Sequence, residues 1–308
     1  SGHKKYVVSA LVEKDYTSIE DVVSNYASGM DVLVKATVVQ KNSKSAVIYD
    51  GTDSMLIYSS NIASTLSVND VIEVKGTVSA YKDYVQFGDS ATIEVLDETP
   101  ISLPAIQSVD GTFIDSFTSG KQSEKGMPYV EFVGTFVKSG NYNNVNVDGT
   151  SSIISLNTNL TLTSGKKYTF KGFMGYTTGN TPKYVNFFPV SAEEYYAPVE
   201  NITTSESTLS LVIGASKSIS VSVAPSDAKQ GYTYSLAEGG DAYVNVSKDS
   251  EGNIAIEGVA AGSTSLIIKS EGLNSSGEEV TKNIPIEVNN VVATLNSITI
   301  TNTETKLG

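Results

Sequence analysis

A stretch of fifteen residues, Val47 to Asn61, is written twice in this chain, the second copy running from Val145 to Asn159, 98 residues on. In each copy β-prone runs flank an Asp-Gly-Thr sequence, Asp50-Gly51-Thr52 and Asp148-Gly149-Thr150. Asp-Gly between apolar runs is the strongest short-range hairpin signal, because glycine accepts the positive φ of a tight turn. A hairpin that recurs at this distance makes the chain a tandem of small β units.

The flanks repeat as well. Asp31 to Gln40 aligns with Tyr129 to Val137 at an offset of 98, Val71–Val78 with Lys167–Met174 at 96, and Tyr84–Phe87 with Tyr184–Phe187 at 100. Such drift is what loop insertions produce. Alternation with a period of two puts Val32, Val34, Ala36 and Val38 inside the first unit, and Val130, Phe132, Gly134 and Phe136 inside the second. Lys35, Thr37, Lys75 and Thr77 then face outward in the first, with Glu131, Val133, Thr135, Lys171 and Phe173 outward in the second. At the start of the first unit, Thr17 with Glu20 has the form of a capping box and Gly29 suits a helix end. Ile19, Val22, Val23 and Tyr26 would share the apolar face of that short helix.

A small residue in the middle of a long strand marks the bend that a small closed barrel needs. A long strand, a hairpin, a connector and two further strands, in this order, resemble the OB-fold. The units are similar to OB modules of bacterial secreted and surface proteins, including non-specific extracellular nucleases. The resemblance covers residues 17–97 and about 105–196 and implies two five-stranded barrels.

Composition shifts at Tyr195-Tyr196-Ala197-Pro198-Val199. Short alternating runs follow, among them Ser218 to Ala228 with its Pro225-Ser226-Asp227-Ala228 ending, Tyr232–Ser235, and Gly258 to Ile268. Their succession resembles the group 2 bacterial immunoglobulin-like domain, with Tyr232 or Tyr234 standing where that family carries a tryptophan. Seven runs punctuated by turns also read as a β-sandwich by pattern alone. The family resemblance implies a surface spacer or adhesion module.

The expected architecture is therefore all-β. Residues 1–16 are a lead-in whose Ser1-Gly2-His3 reads as the remnant of a tag, with a strand at 6–13. Two OB-type barrels occupy 17–98 and 99–196, and an immunoglobulin-like β-sandwich spans 197–290. Residues 291–308 read as the start of a further such domain, with Asn296 to Thr301 as its first strand.

Composition narrows the function. The 308 residues contain no Cys, one His (His3) and no Arg, and carry a net charge of −13. Disulfides, thiolate metal sites, zinc clusters and a His-based triad all lack their residues. No phosphate loop or dinucleotide fingerprint occurs, and no apolar run approaches the roughly 18 residues of a membrane span. Asp50 and Asp53 flank the first turn closely enough to share a cation, but Ser151 replaces the second acid in the repeat, so turn chemistry accounts for them better. The chain reads as non-catalytic and without a cofactor.

A binding role needs aromatic faces and polar rims. The candidates are Phe173, Tyr176, Tyr142, Lys171 and Lys183 in the second unit, and Tyr81 and Lys35 in the first. Phe173 and Tyr176 stand out because their counterparts, Thr77 and Ala80, are small. Phe173 could instead cover the interface between the barrels or pack beneath the 175–182 loop. Single-stranded nucleic acid would need stacked aromatics and cations along its phosphates, which an acidic, Arg-free chain supplies poorly. Residues 19–98 sum to −7, 99–195 to zero and 196–290 to −7, which favours the second unit as the binder. An extracellular polysaccharide or protein is thus favoured over nucleic acid. Three functions follow: binding or presentation modules on the stalk of a secreted or surface protein, the accessory region of an extracellular nuclease, or a glycan-binding surface lipoprotein.

Overall fold

The structure, a computed structural model, describes residues 14–119 and 121–291. His3, the expected strand at 6–13 and the one at 296–301 lie outside the described residues. The chain forms two compact units, the first ending at Tyr195 and the second beginning at Tyr196.

The first unit holds two closed five-stranded barrels. Helix α1 (Ile19–Ser24) leads into β1 (Asp31–Lys41), β2 (Ser45–Tyr49), β3 (Ser54–Tyr58), helix α2 (Ser60–Thr65), β4 (Val71–Tyr81), β5 (Tyr84–Phe87) and β6 (Thr92–Leu96). The sheet runs β1-β2-β3-β5-β4 and closes by pairing β4 with β1, with β6 added beside β4. Every barrel pair is antiparallel except β3 with β5. The second barrel repeats this plan. Strand β7 (Gln107–Ser108) and helices α3 (Gly111–Phe117) and α4 (Gln122–Lys125) precede β8 (Tyr129–Ser139), β9 (Tyr142–Asn146), β10 (Ile153–Leu156), β11 (Lys167–Thr178) and β12 (Tyr184–Glu194). The order β8-β9-β10-β12-β11 closes through β11 with β8, and β10 with β12 is the parallel pair.

The first helix starts one residue later than the capping box predicts. Ser18, rather than Thr17, accepts from the Asp21 N–H. Asp50 Oδ2 takes the Ile19 N–H at 2.6 Å, so the first hairpin turn caps this helix. Asp50 Oδ1 accepts in addition from Thr52 N (2.9 Å), Thr52 Oγ1 (2.7 Å) and Asp53 N (3.2 Å). These bonds organise a four-residue loop, with Gly51 at φ +98°, and leave the acid to turn chemistry. In the second barrel the tie between turn and helix survives with its polarity reversed. Asp115 on α3 accepts from the Thr150 and Ser152 hydroxyls. Helices α3 and α4 are absent from the sequence reading. Asp110-Gly111-Thr112 is a third Asp-Gly-Thr, yet here Asp110 caps a helix through the Phe113 N–H. A Cβ on Gly111 would lie 2.5 Å from the Asp148 carbonyl oxygen, so only glycine lets α3 start against the second turn.

Pairing register corrects the uniform repeat offset. Val38 sits opposite Ile48, and its counterpart Phe136 sits opposite Val145, an offset of 97 on the first hairpin strand. Ile57 pairs with Phe87 and Leu156 with Phe187, which makes the offset 99 on the second. A one-residue slip moves a strand residue to the opposite face. Val47 and Leu56 therefore face outward, where the second barrel has Asn144 and Ser155.

That slip explains how the barrels dock. Ile48, Met55 and Ile57 fill the first barrel's core. Val39, Val47, Leu56 and Tyr84 instead join the cluster that holds the second barrel's Val130, Phe132, Phe173 and Phe187. Burial of each such side chain is worth roughly 1.5–3 kcal/mol. Polar contacts fix the docking: the Val85 N–H donates to Gln122 Oε1 at 2.5 Å, Met127 N to Asp53 Oδ1 at 3.3 Å, and Asn42 Nδ2 to the Asn157 carbonyl at 3.3 Å.

The second unit contains β13 (Asn201–Thr204), β14 (Leu209–Val212), β15 (Ser216–Ile219), β16 (Val221–Ala224), β17 (Tyr232–Leu236), β18 (Val244–Lys248), β19 (Ile254–Gly258), β20 (Gly262–Leu273) and β21 (Glu279–Asn289). A four-stranded sheet, β14-β21-β20-β17, and a three-stranded one, β15-β19-β18, contribute to one apolar core. A two-stranded sheet pairs β13 with β16. Tyr232 and Tyr234, at the expected tryptophan position, are half-buried against that core, and Lys248 Nζ lies 4.8 Å from the Tyr232 ring centroid. Among the described residues no helix is long and apolar enough to cross a membrane.

Candidate functional site

Two of the proposed binding residues meet where the barrels dock. Tyr81 ends β4 and Tyr176 lies near the end of β11, and their rings stand edge to face at 5.1 Å between centroids. With Tyr58 and Gln86 they line a pocket of about 230 Å³. Tyr58 closes β3 and Gln86 lies on the outward face of β5, so both barrels build the site.

The local sequence explains this convergence. Tyr81 and Tyr84 pair directly across a two-residue turn, Lys82-Asp83. Both turn residues have positive φ, +52° and +65°, the geometry of a type I′ hairpin that usually recruits Asn-Gly. Left-handed backbone at residues with a Cβ costs of order 1 kcal/mol each, so this tip is held under strain. It brings both tyrosines to Tyr176, with Tyr84 at 6.3 Å between centroids. The backbone of Tyr176 is held in turn by Asn186, whose Nδ2 donates to the Tyr176 carbonyl at 3.1 Å. Asn157 donates to Asn186 Oδ1 at 3.0 Å, completing the support.

Tyr58 and Tyr81 are 44% and 47% exposed, whereas Tyr176 is 9% exposed. Burial, followed by the neighbouring Tyr58 and Tyr81, pushes the Tyr176 phenol up to about 12. Burial also raises Tyr84. Both therefore stay protonated and neutral across the physiological range. The Tyr58, Tyr81 and Tyr176 hydroxyls have no hydrogen-bond partner among the described residues and remain available to a ligand. No charged side chain lines the pocket. Its chemistry is that of aromatic faces, phenol hydroxyls and one amide.

The other candidates are dispersed. Phe173 is fully buried, its ring 5.1 Å from that of Tyr129, and it cannot stack on a ligand. The physical reason is double coverage: the register of β11 shifts at Lys171/Gly172, and from Gly172 to Tyr176 the strand is buried on both faces. Thr37 is buried as well, its hydroxyl accepting the Ile101 N–H at 3.1 Å. Lys171 lies 3.8 Å from Glu131, and Lys35 lies 3.0 Å from Glu98, so both outward lysines are ion-paired. Tyr142 is 70% exposed at the start of β9 and is not among the residues that line the pocket. Lys183 lines a separate cleft, with Nζ 3.2 Å from Thr118 Oγ1. Tyr58 and Gln86 are absent from the sequence candidates. Tyr58 lies within the duplicated stretch, and an aromatic at its end was the available signal.

Among the described residues no group of three or more His, Cys, Asp or Glu side chains is placed to hold a metal. No family model matches the sequence, and no curated protein sequence matches it. Several solved structures overlap it at low scores. A structure described as "Structural mimicry for functional antagonism" has 11% identity, covers 54% of this chain and 95% of its own, and gives a TM-score of 0.32. Domains 4 and 5 of the S-layer protein SbsC have 16% identity, cover 47% and 90%, and give 0.26. Domains 1–6 of the surface layer protein SbsC have 12% identity, cover 87% and 54%, and give 0.28. Scores of this size assign neither architecture nor function.

Proposed function

We propose that this chain is a non-catalytic binding segment of a bacterial secreted or cell-surface protein, and that its paired OB-type barrels take a neutral glycan in the Tyr58–Tyr81–Tyr176 pocket. The bacterial immunoglobulin-like domain that the C-terminal unit resembles serves as the stalk. One observation carries the reading: three tyrosines with unpartnered hydroxyls and an amide converge on a pocket free of charge. Aromatic faces stack on the C–H faces of sugar rings, while phenol and amide groups exchange hydrogen bonds with ring hydroxyls. Pockets of this kind combine apolar walls with a few placed polar groups.

Nucleic acid is the second reading, because the same rings could stack bases. It is disfavoured because the first barrel is acidic and its outward Lys35 is already paired with Glu98. Fluorescence polarisation of the full chain against oligo-dT and labelled neutral oligosaccharides, at low and high salt, separates the two. Phosphate-driven binding weakens steeply with salt, whereas glycan stacking holds nearly constant. Tight, salt-sensitive oligo-dT binding with no response to any sugar would overturn the glycan reading.

A further inference from the structure

We infer that the second barrel carries a separate subsite for a neutral, polyhydroxylated sugar, in the polar cleft between α3, the β9–β10 loop and the β11–β12 turn. The cleft encloses about 450 Å³ and is lined by Asp115, Thr118, Ser151, Ser152, Asn180, Thr181, Pro182 and Lys183. That volume lies within the range of small-molecule sites. None of these residues belongs to the tyrosine pocket.

The walls are preorganised by bonds that leave their outer valences open. Asp115 Oδ1 accepts from the Thr150 hydroxyl and, at 3.0 Å, from the Ser152 hydroxyl. Its other oxygen has no partner among the described residues. The Lys183 ammonium is held by Thr118 Oγ1 at 3.2 Å and, more loosely, by the Thr118 carbonyl at 3.5 Å. An ammonium has three N–H donors, and Lys183 has no carboxylate within ion-pair distance among the described residues. A fixed acceptor and a fixed donor thus share one cleft, with the Ser151 and Thr181 hydroxyls and the Asn180 amide beside them.

Charge selects the ligand class. The two charged lining residues, Asp115 and Lys183, sum to zero, and the nearby Lys125 is offset by Glu124, so an anion meets the carboxylate and a cation meets the ammonium. A vicinal diol meets neither penalty, since each hydroxyl both donates and accepts. Bonds to charged groups are the stronger ones, and the Pro182 ring supplies an apolar surface for the C–H face of a sugar. Lys183 also satisfies the carbonyl of Thr118, the residue that ends α3. That role explains where the ammonium sits, but it uses neither the open Asp115 oxygen nor the surrounding hydroxyls.

The ligand class is shared with the tyrosine pocket, and in that respect the inference rests on the glycan reading. Amide NMR of the full chain tests them separately. The probes are hexaoses of glucose, mannose, galactose and xylose, with trigalacturonic acid as the charged comparison. We expect at least one neutral hexaose to shift the amides of Thr118, Ser151, Ser152, Asn180 and Lys183. Asp115→Asn and Lys183→Met should each weaken that response about tenfold, as loss of a charged hydrogen-bond partner implies. The response of Gln86 and Tyr176 amides should be unchanged. Ser151→Ala, at an exposed position, gives a further variant with little risk to folding. If the tyrosine-pocket amides respond and the cleft does not, the cleft is refuted and the glycan reading stands. The reverse outcome refutes the tyrosine pocket alone. Silence in both refutes both, and a cleft that responds only to trigalacturonic acid overturns its assignment to neutral sugars.

Discussion

The Tyr81 ring meets that of Tyr176 edge to face, with centroids 5.1 Å apart and planes at 89°. One comes from each barrel, so the pocket they form exists only while the barrels are docked. Tyr81 is half exposed and Tyr176 nearly buried, which separates binding from stability. Replacing Tyr81 by Ala should reduce glycan affinity at least tenfold and cost only about 1 kcal/mol of stability, the scale of one aromatic pair. Titration calorimetry and urea unfolding of the same variant check both halves. Undiminished affinity would remove Tyr81 from the site.

Leu56 and Val47 make the outer face of the first hairpin apolar, whereas Asn144 and Ser155 occupy those positions in the second. Leu56→Ser transplants the second barrel's residue into the docking surface. The loss should be about 3 kcal/mol, as for a large-to-small core substitution. It should also uncouple the barrels, so that scanning calorimetry resolves an added transition. A melting profile identical to that of the parent chain would argue against this docking.

This interface also marks the limit of what the sequence makes legible. Alternation identified Val34, Phe132 and the other inward residues, because one buried face leaves a period of two. The hairpin's Val47-Ile48 and Met55-Leu56-Ile57 are apolar without alternation, which signals a strand covered on both faces. That pattern was readable, but the shared Asp-Gly-Thr turn imposed a constant offset and concealed the one-residue slips. Phe173 is hidden from the pattern in a similar way, since alternation says which face a residue takes and not whether that face is covered. The tyrosine pocket draws Tyr58, Tyr81, Gln86 and Tyr176 from four strands. Only tertiary docking brings them together, and Tyr81 and Tyr176 were reachable because they differ from their repeat counterparts.

The Lys82-Asp83 turn keeps two non-glycine residues in left-handed backbone next to Tyr81. Lys82→Asn with Asp83→Gly installs the pair that a type I′ turn prefers. The double variant should gain about 1 kcal/mol, measured by chemical unfolding, because it relieves part of the steric cost. If Lys82 touches the ligand, glycan affinity falls even as stability rises. A loss of stability would mean that the two residues are held by contacts stronger than the strain.

Asp53 gives the docking a pH dependence of defined sign. Burial raises its pKa above the ordinary carboxylate value, opposed by hydrogen bonds from the Ser54 and Met127 N–H groups and reinforced by Asp50 and Glu20. The folded chain therefore holds this proton more tightly than the unfolded chain does. Stability from this group is fully present below the unfolded carboxylate pKa of about 3.9, and is lost as pH rises through the raised folded value. Glu73 works in the opposite sense, because the Lys14 and Tyr16 side chains bonded to it lower its pKa, so the whole-chain profile mixes the two. The difference between the parent chain and Asp53→Asn isolates Asp53. Both N–H groups donate to Oδ1, an acceptor that asparagine keeps. The variant should be the more stable at neutral pH, with its advantage shrinking as pH falls toward the unfolded carboxylate pKa. Urea midpoints measured for both proteins from about pH 4 to pH 7 report that difference. A difference that stays flat, or grows toward acid, would show that the Asp53 carboxylate does not destabilise the docked barrels.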